Sequence, residues 1–302
     1  MHNYYLDWDK FFEEASNIQV PDFKVKDKLI YIGIGGSGIP GRLLLDLGID
    51  LKIYRGFHAK SDKNTSVLVV SYSGTTTETI LALNEVLNSG YYDLVVITSN
   101  GNLEKIAEEK KLKLVKIPKG LQTRYAFPFI FTSLIKLINS GLGLNYNVND
   151  LKDGVIESKS QYLNYSKELA SSIIGKIPVF YSADFVGIAE RFKQEFNENA
   201  KYPAFYDELP EANHNEIESY AKNRAQLLPI VLGLSEVNDL TAGVLNAVRI
   251  KPLFGNPLKI ISSMLLLAGL TSLEVAQRLS EDPEKLYLIP TIRSKTSSLL
   301  KL

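Results

Sequence analysis

Two short segments carry groups suited to holding an anion. Gly33-Ile34-Gly35-Gly36-Ser37-Gly38 ends the apolar run Leu29–Ile34 and precedes a helical pattern. Glycines let backbone N–H groups approach an anion without interference from a Cβ, and a helix N-terminus adds a partial positive charge. The segment also satisfies G-x-G-x-x-G, so dinucleotide binding is one reading of it. That reading wants an acidic residue closing the second strand, where this chain has Tyr54-Arg55. An arginine there suits a 2′-phosphate and leaves NADP open. The second segment, Ser71-Tyr72-Ser73-Gly74-Thr75-Thr76-Thr77-Glu78-Thr79, follows another apolar run and opens a helical pattern. A helix cap needs one small hydroxyl side chain, whereas six surround this glycine. Hydroxyls and amides at a helix N-terminus can wrap a phosphate monoester. A dinucleotide fold does not need this second cradle; a sugar phosphate does. Gly36, Ser37, Ser71, Ser73 and Thr76 are therefore the expected phosphate-binding residues.

GIGGSG followed by SYSG-x-T-x-E-T resembles the sugar isomerase domain family. Phe196-Asn197-Glu198-Asn199-Ala200-Lys201 and Pro210-Glu211-Ala212-Asn213-His214-Asn215-Glu216 look like the bifunctional phosphoglucose/phosphomannose isomerases. Gly120-Leu121-Gln122-Thr123-Arg124-Tyr125-Ala126 is similar to the loop on which that family carries an active-site arginine, with Thr123 where proline is usual. The resemblance implies interconversion of glucose 6-phosphate and mannose 6-phosphate with fructose 6-phosphate through a cis-enediol, without a cofactor, in a homodimer. A sugar-phosphate sensor without catalysis and an NADP-dependent dehydrogenase are the alternatives.

Such a reaction needs a base that moves a proton between adjacent carbons, an acid that opens the ring, and a cation beside the enediolate. General acid–base catalysis contributes roughly 10²–10⁴-fold, and electrostatic stabilisation of the enediolate adds to it. The resemblance implies Glu198 as the base. Glu190 and Glu195 share its helical pattern, so the FNENAK match alone selects it. His214 is implied in ring opening, across a dimer interface, and Arg124 in stabilising the enediolate, which suits its permanent charge. A C-terminal lysine is implied too. Lys295 is the candidate, with Lys285 and Lys301 competing. His214-Asn215-Glu216 offers no three convergent ligands, so no metal is expected.

These residues need elements to position them. Leu29–Ile34, Leu51–Arg55, Val67–Ser71, Leu94–Thr98 and Lys113–Ile117 read as strands, mostly apolar on both faces as in a covered parallel sheet. Helical patterns at 39–48, 76–89 and 102–110 alternate with them, which predicts βαβ units and a doubly wound α/β sheet. Residues 1–17 read as a preceding amphipathic helix anchored by Leu6, Phe11 and Phe12. A second cycle begins near 150 with a helix at 155–174, a strand at Ile177–Ser182 and a long helix at 184–200. Apolar runs follow at Leu227–Leu232 and Val248–Leu253, then a helix at 257–280. Two αβα domains are expected: 1–149 with the phosphate loops, and 150–302 with Glu198 and His214.

Composition removes other classes. Lys plus Arg and Asp plus Glu both total 34, so there is no global basic field for nucleic acid or an anionic membrane. Zero cysteines exclude disulfides, thiol catalysis and cysteine metal sites. The first residues lack the pattern of an export signal. The nearly apolar run Ile260–Leu273 is shorter than the roughly 20 residues that span a bilayer and reads as a buried helix. A cytoplasmic protein is the expectation.

Overall fold

The structure, a computed structural model, describes residues 2–300. Two compact units form. One holds Asp7–Asn149 and, of the described residues, 286–300; the other holds Asp150–Lys285 and 2–6.

In the first unit the strands are β1 (Lys28–Ile32), β2 (Lys52–Tyr54), β3 (Thr65–Val70), β4 (Asp93–Thr98) and β5 (Lys113–Lys116). All pairs are parallel, in the order β2-β1-β3-β4-β5. The helices are α1 (Trp8–Ser16), α2 (Ile39–Asp46), α3 (Thr77–Ser89), α4 (Gly101–Glu109) and α5 (Phe127–Leu142). Every residue of β3 is buried, because β3 lies between neighbours and under helices on both faces. Ile30, Ile32, Val67 and Val69 pack with Leu83 and Val86 of α3. Tyr31 points to the opposite face, where Gly41 of α2 lies so close that a Cβ would come within 2.6 Å of the ring. The sheet is thus wound on both sides. The N-terminal helix is anchored by Trp8 and Phe12: the Trp8 and Phe127 rings stack at 5.6 Å. Leu6, an expected anchor, lies before it in a short 3₁₀ turn.

The second unit repeats the plan. Its strands β6 (Ile177–Ser182), β7 (Phe205–Glu208), β8 (Leu227–Leu232) and β9 (Val248–Ile250) are parallel in the order β7-β6-β8-β9. Its helices are α6 (Asn149–Ile173), α7 (Val186–Asn199), α8 (Glu236–Leu245) and α9 (Pro257–Arg278). By length and composition α9 could cross a membrane, but 83% of its apolar window is buried inside the protein. The closing helix α10 (Ile289–Leu299) belongs to the first unit, where it touches α3. Two doubly wound parallel sheets with surrounding helices make this an α/β protein, as the alternating runs predict.

Candidate active site

In an open parallel sheet, ligands bind outside the carboxyl ends of the strands where the winding reverses. In the first unit that point lies between β1 and β3, and the loops leaving these strands are the glycine-rich segment and the Ser/Thr segment. The two are tied together: Ser37 Oγ accepts the backbone N–H of Tyr72 at 3.1 Å. Tyr31, whose hydroxyl burial raises well above the ordinary tyrosine range, donates to the Ser37 carbonyl at 2.5 Å. Ser71 Oγ bonds Thr76 Oγ1 at 3.1 Å across the turn into α3. Gly74 holds that turn at φ +62°, and a Cβ there would sit 1.7 Å from the Asn100 carbonyl oxygen. Only glycine fits.

A third loop joins them after β5. The backbone N–H of Leu121 donates to Tyr72 Oη at 2.9 Å, and a Cβ on Gly36 would come within 2.9 Å of Thr123. Arg124 follows, 4% exposed, its guanidinium 4.8 Å from the centre of the Tyr125 ring. The structure thus brings Gly36, Ser37, Ser71, Ser73, Thr76 and Arg124 to the carboxyl end of one sheet. The contact of Thr123 with Gly36 and the bridging Tyr72 hydroxyl carried no signal in the sequence. Lys295 is exposed on α10. That helix docks through Ser297 Oγ, 2.7 Å from Thr77 Oγ1.

The equivalent crevice of the second unit lies between β6 and β8, and the chain fills it. The Asp184 carboxylate accepts the backbone N–H groups of Leu234 at 2.7 Å and Ser235 at 3.2 Å, the Asn238 side-chain amide at 2.7 Å and the Ser182 hydroxyl at 3.2 Å. A Cβ on Gly233 would stand 2.0 Å from Asp184 Oδ1. An internal carboxylate occupies the position at the start of α8 where an external anion would otherwise find donors.

The carboxylates of α7 differ in what they face. Glu195 is 1% exposed and committed to a buried network: Arg191 pairs with it at 2.5 Å, Asn199 Nδ2 donates at 2.8 Å, and the Tyr5 hydroxyl donates as well. Glu190 is also buried. Glu198, one turn past Glu195, is half-buried. His214 closes a 3₁₀ turn after β7 and is exposed. Its segment is clamped on both sides. Asn213 and Thr241 exchange hydrogen bonds at 2.9 and 3.0 Å, and the Tyr181 hydroxyl donates to Glu216 at 2.5 Å. Burial raises the Glu216 carboxyl above the ordinary range; Asp207 adds to this and Tyr181 opposes it.

Glu198 and His214 are not brought together within this unit. α7 runs antiparallel to β6 and β7, so it starts at the carboxyl end of the sheet and carries Glu198 about 20 Å toward the other end. His214 stays at the carboxyl end. Among the described residues, no group of three or more His, Cys, Asp or Glu side chains could hold a metal ion.

Comparison with known proteins bears on this arrangement. Residues 163–295 match the model of the bacterial phospho-glucose isomerase C-terminal SIS domain. A bifunctional phosphoglucose/phosphomannose isomerase of Caldicellulosiruptor bescii is 29% identical over 96% of both chains. One from Aquifex aeolicus is 34% identical over 63% of this chain and 61% of its own. A D-glucosamine-6-phosphate 4-epimerase of Sulfolobus acidocaldarius is 45% identical over 99% of both. The chain belongs to the phosphoglucose/phosphomannose isomerase family. That family comprises sugar-phosphate isomerases and epimerases, and the fold agrees. A glucosamine-6-phosphate deaminase from Thermotoga maritima superposes with a TM-score of 0.68 over 92% of this chain and 93% of that one, at 17% identity. A tagatose-6-phosphate ketose/aldose isomerase from Escherichia coli gives 0.63 over 92% and 90%, at 14% identity.

Proposed function

We propose that this member of the family is a D-glucosamine 6-phosphate 4-epimerase. The observation that carries the proposal is the 45% identity over 99% of both chains with the Sulfolobus acidocaldarius epimerase.

Acid–base chemistry alone provides a route to inversion at C4. A base takes the C2 proton of the open-chain aldehyde, giving a C1=C2 enaminol, and returns a proton to C1, leaving an imine at C2. Loss of the C4 hydroxyl proton then breaks the C3–C4 bond, whose electron pair moves into a C2=C3 enamine while C4 becomes an aldehyde. Rotation of that aldehyde and re-addition through its other face inverts C4, and the earlier steps run backward. No oxidant is consumed. In this scheme Gly36, Ser37, Ser71, Ser73 and Thr76 hold the phosphate, Glu198 moves the proton between C2 and C1, and Arg124 stabilises the anionic oxygen. His214 opens the ring. The distance along α7 between Glu198 and the His214 end of the sheet supports a homodimer in which one copy supplies His214 to a ligand served by the other's Glu198. Lys295, exposed on α10, is the candidate for the C-terminal lysine that the family resemblance implies at the site.

The second reading is aldose–ketose isomerisation of glucose 6-phosphate and mannose 6-phosphate with fructose 6-phosphate. The intact FNENAK and PEANHNE segments favour it, and it uses the first proton transfer of the same scheme. Proton NMR of the enzyme with D-glucosamine 6-phosphate, alongside a coupled fructose 6-phosphate assay, separates the two. Accumulation of the C4 epimer, D-galactosamine 6-phosphate, supports the epimerase. Faster formation of fructose 6-phosphate from glucose or mannose 6-phosphate replaces it with the isomerase. Turnover of none of these overturns both.

A further inference from the structure

The C-terminal helix brings a cation other than Lys295 to the Ser/Thr loop. Arg293, Ser294 and Ser297 line a cleft of about 190 Å³ together with Thr75, Thr76, Thr77 and Glu78. Thr76 is also part of the expected phosphate cradle, so cleft and cradle share a wall. The Ser297–Thr77 hydroxyl bond of 2.7 Å fixes which face of α10 looks inward. Positions i and i+4 lie on one face of a helix, so Arg293 stands directly above Ser297. Lys295, two residues from Arg293, falls about 200° around the helix axis. Both cations are exposed, but Lys295 is not among the residues lining the cleft.

We propose that Arg293, not Lys295, is the cation that α10 brings to the substrate's phosphate. This rests on a hexose 6-phosphate being the ligand of the Ser71–Thr79 loop. A guanidinium presents paired N–H donors in a plane that matches two phosphate oxygens, which an ammonium does not. It also offsets the Glu78 carboxylate, which lines the same cleft and would otherwise repel a dianion. Arg293 is thus a specificity residue for a phosphorylated over an unphosphorylated sugar.

The test measures inorganic phosphate binding calorimetrically, and KM and kcat for the hexose 6-phosphate turned over, in the full chain and in Arg293→Ala, Arg293→Lys, Lys295→Ala and Arg224→Ala. Arg224→Ala removes an exposed charge in the other unit. Arg293→Ala is expected to weaken phosphate binding and raise KM about tenfold or more, as loss of a charge-assisted hydrogen bond does, with kcat changed less than about threefold. Arg293→Lys recovers part of the loss. Lys295→Ala and Arg224→Ala leave phosphate affinity within about twofold, well under the 1.4 kcal/mol of a tenfold change. A change of twofold or less in Arg293→Ala, a lowered melting temperature as its sole effect, or an equal loss in Lys295→Ala overturns the assignment. Absence of phosphate binding in the unaltered protein overturns it too. Arg293-dependent phosphate binding in a protein that turns over no hexose 6-phosphate supports the assignment while removing the function proposed above.

Discussion

Ser37 and Tyr72 lie 35 residues apart in sequence, yet the hydroxyl oxygen of the first accepts the backbone N–H of the second at 3.1 Å. This bond latches the loop after β1 to the loop after β3, across the point where the sheet reverses its winding. Both residues are buried, so the donor has no ready replacement partner. Ser37→Ala should cost about 1–3 kcal/mol, the range for a buried group left unsatisfied. It should also raise KM for the hexose 6-phosphate, because the two loops lose their mutual register. Urea denaturation and steady-state kinetics measure the two effects. A variant with unchanged stability and KM would show that the latch is unimportant.

Glu198 is the one carboxylate among Glu190, Glu195 and Glu198 that α7 leaves half-buried, while the other two are almost wholly buried. Glu198→Gln should lower turnover by about 10²–10⁴-fold while the affinity for fructose 6-phosphate or glucosamine 6-phosphate stays within a few-fold. Reaction in deuterium oxide should place label at C2 of recovered substrate for the unaltered enzyme and not for the variant. Retained turnover in the variant would move the base elsewhere.

Asp184 fills the second crevice, so inorganic phosphate should titrate to one site per chain. Two equivalent sites by calorimetry would contradict the filled crevice. Asp184→Ala leaves the amides of Leu234 and Ser235 and the Asn238 side chain without their acceptor. The expected loss is about 3 kcal/mol of unfolding free energy, with Asp184→Asn losing less because one acceptor oxygen remains.

Glu216 gives a pH dependence with a definite sign. Its carboxyl is raised in the folded protein, chiefly by burial, in the company of Tyr181, Tyr220 and Asp207. Between the ordinary carboxylate pKa and the raised one, the folded state holds a proton that the unfolded chain has released. Its contribution to stability is therefore complete below the ordinary value and is lost as pH rises through the raised one. Glu216→Gln keeps an acceptor for Tyr181 but cannot ionise. Its urea midpoint should gain on that of the unaltered protein as pH rises from about 4 to 7. A constant difference across that range would contradict the assignment.

The repeating strand and helix pattern was legible because its determinants are local: runs apolar on both faces, glycines at loop starts and hydroxyls at helix starts all act over a few residues. The strands read from the sequence lie within a residue or two of β1–β6 and β8, and the phosphate-loop segments sit at the predicted strand ends. Other elements lack such signals. β7 is an edge strand of four residues with none fully buried, the run ending at Leu253 continues as strand only to Ile250, and α10 buries no residue.

By itself, then, the sequence determined the α/β rhythm, the two anion-seeking loops and the family's motifs, since each depends on neighbours along the chain. Tertiary structure decided the rest. It committed Glu195 to Arg191 and left Glu198 partly accessible, and it set Asp184 against Gly233 in the second crevice. It also turned Arg293 rather than Lys295 toward Thr75–Glu78. The reason is geometric: the direction a side chain faces, and the residue already occupying that space, follow from packing between segments far apart in sequence.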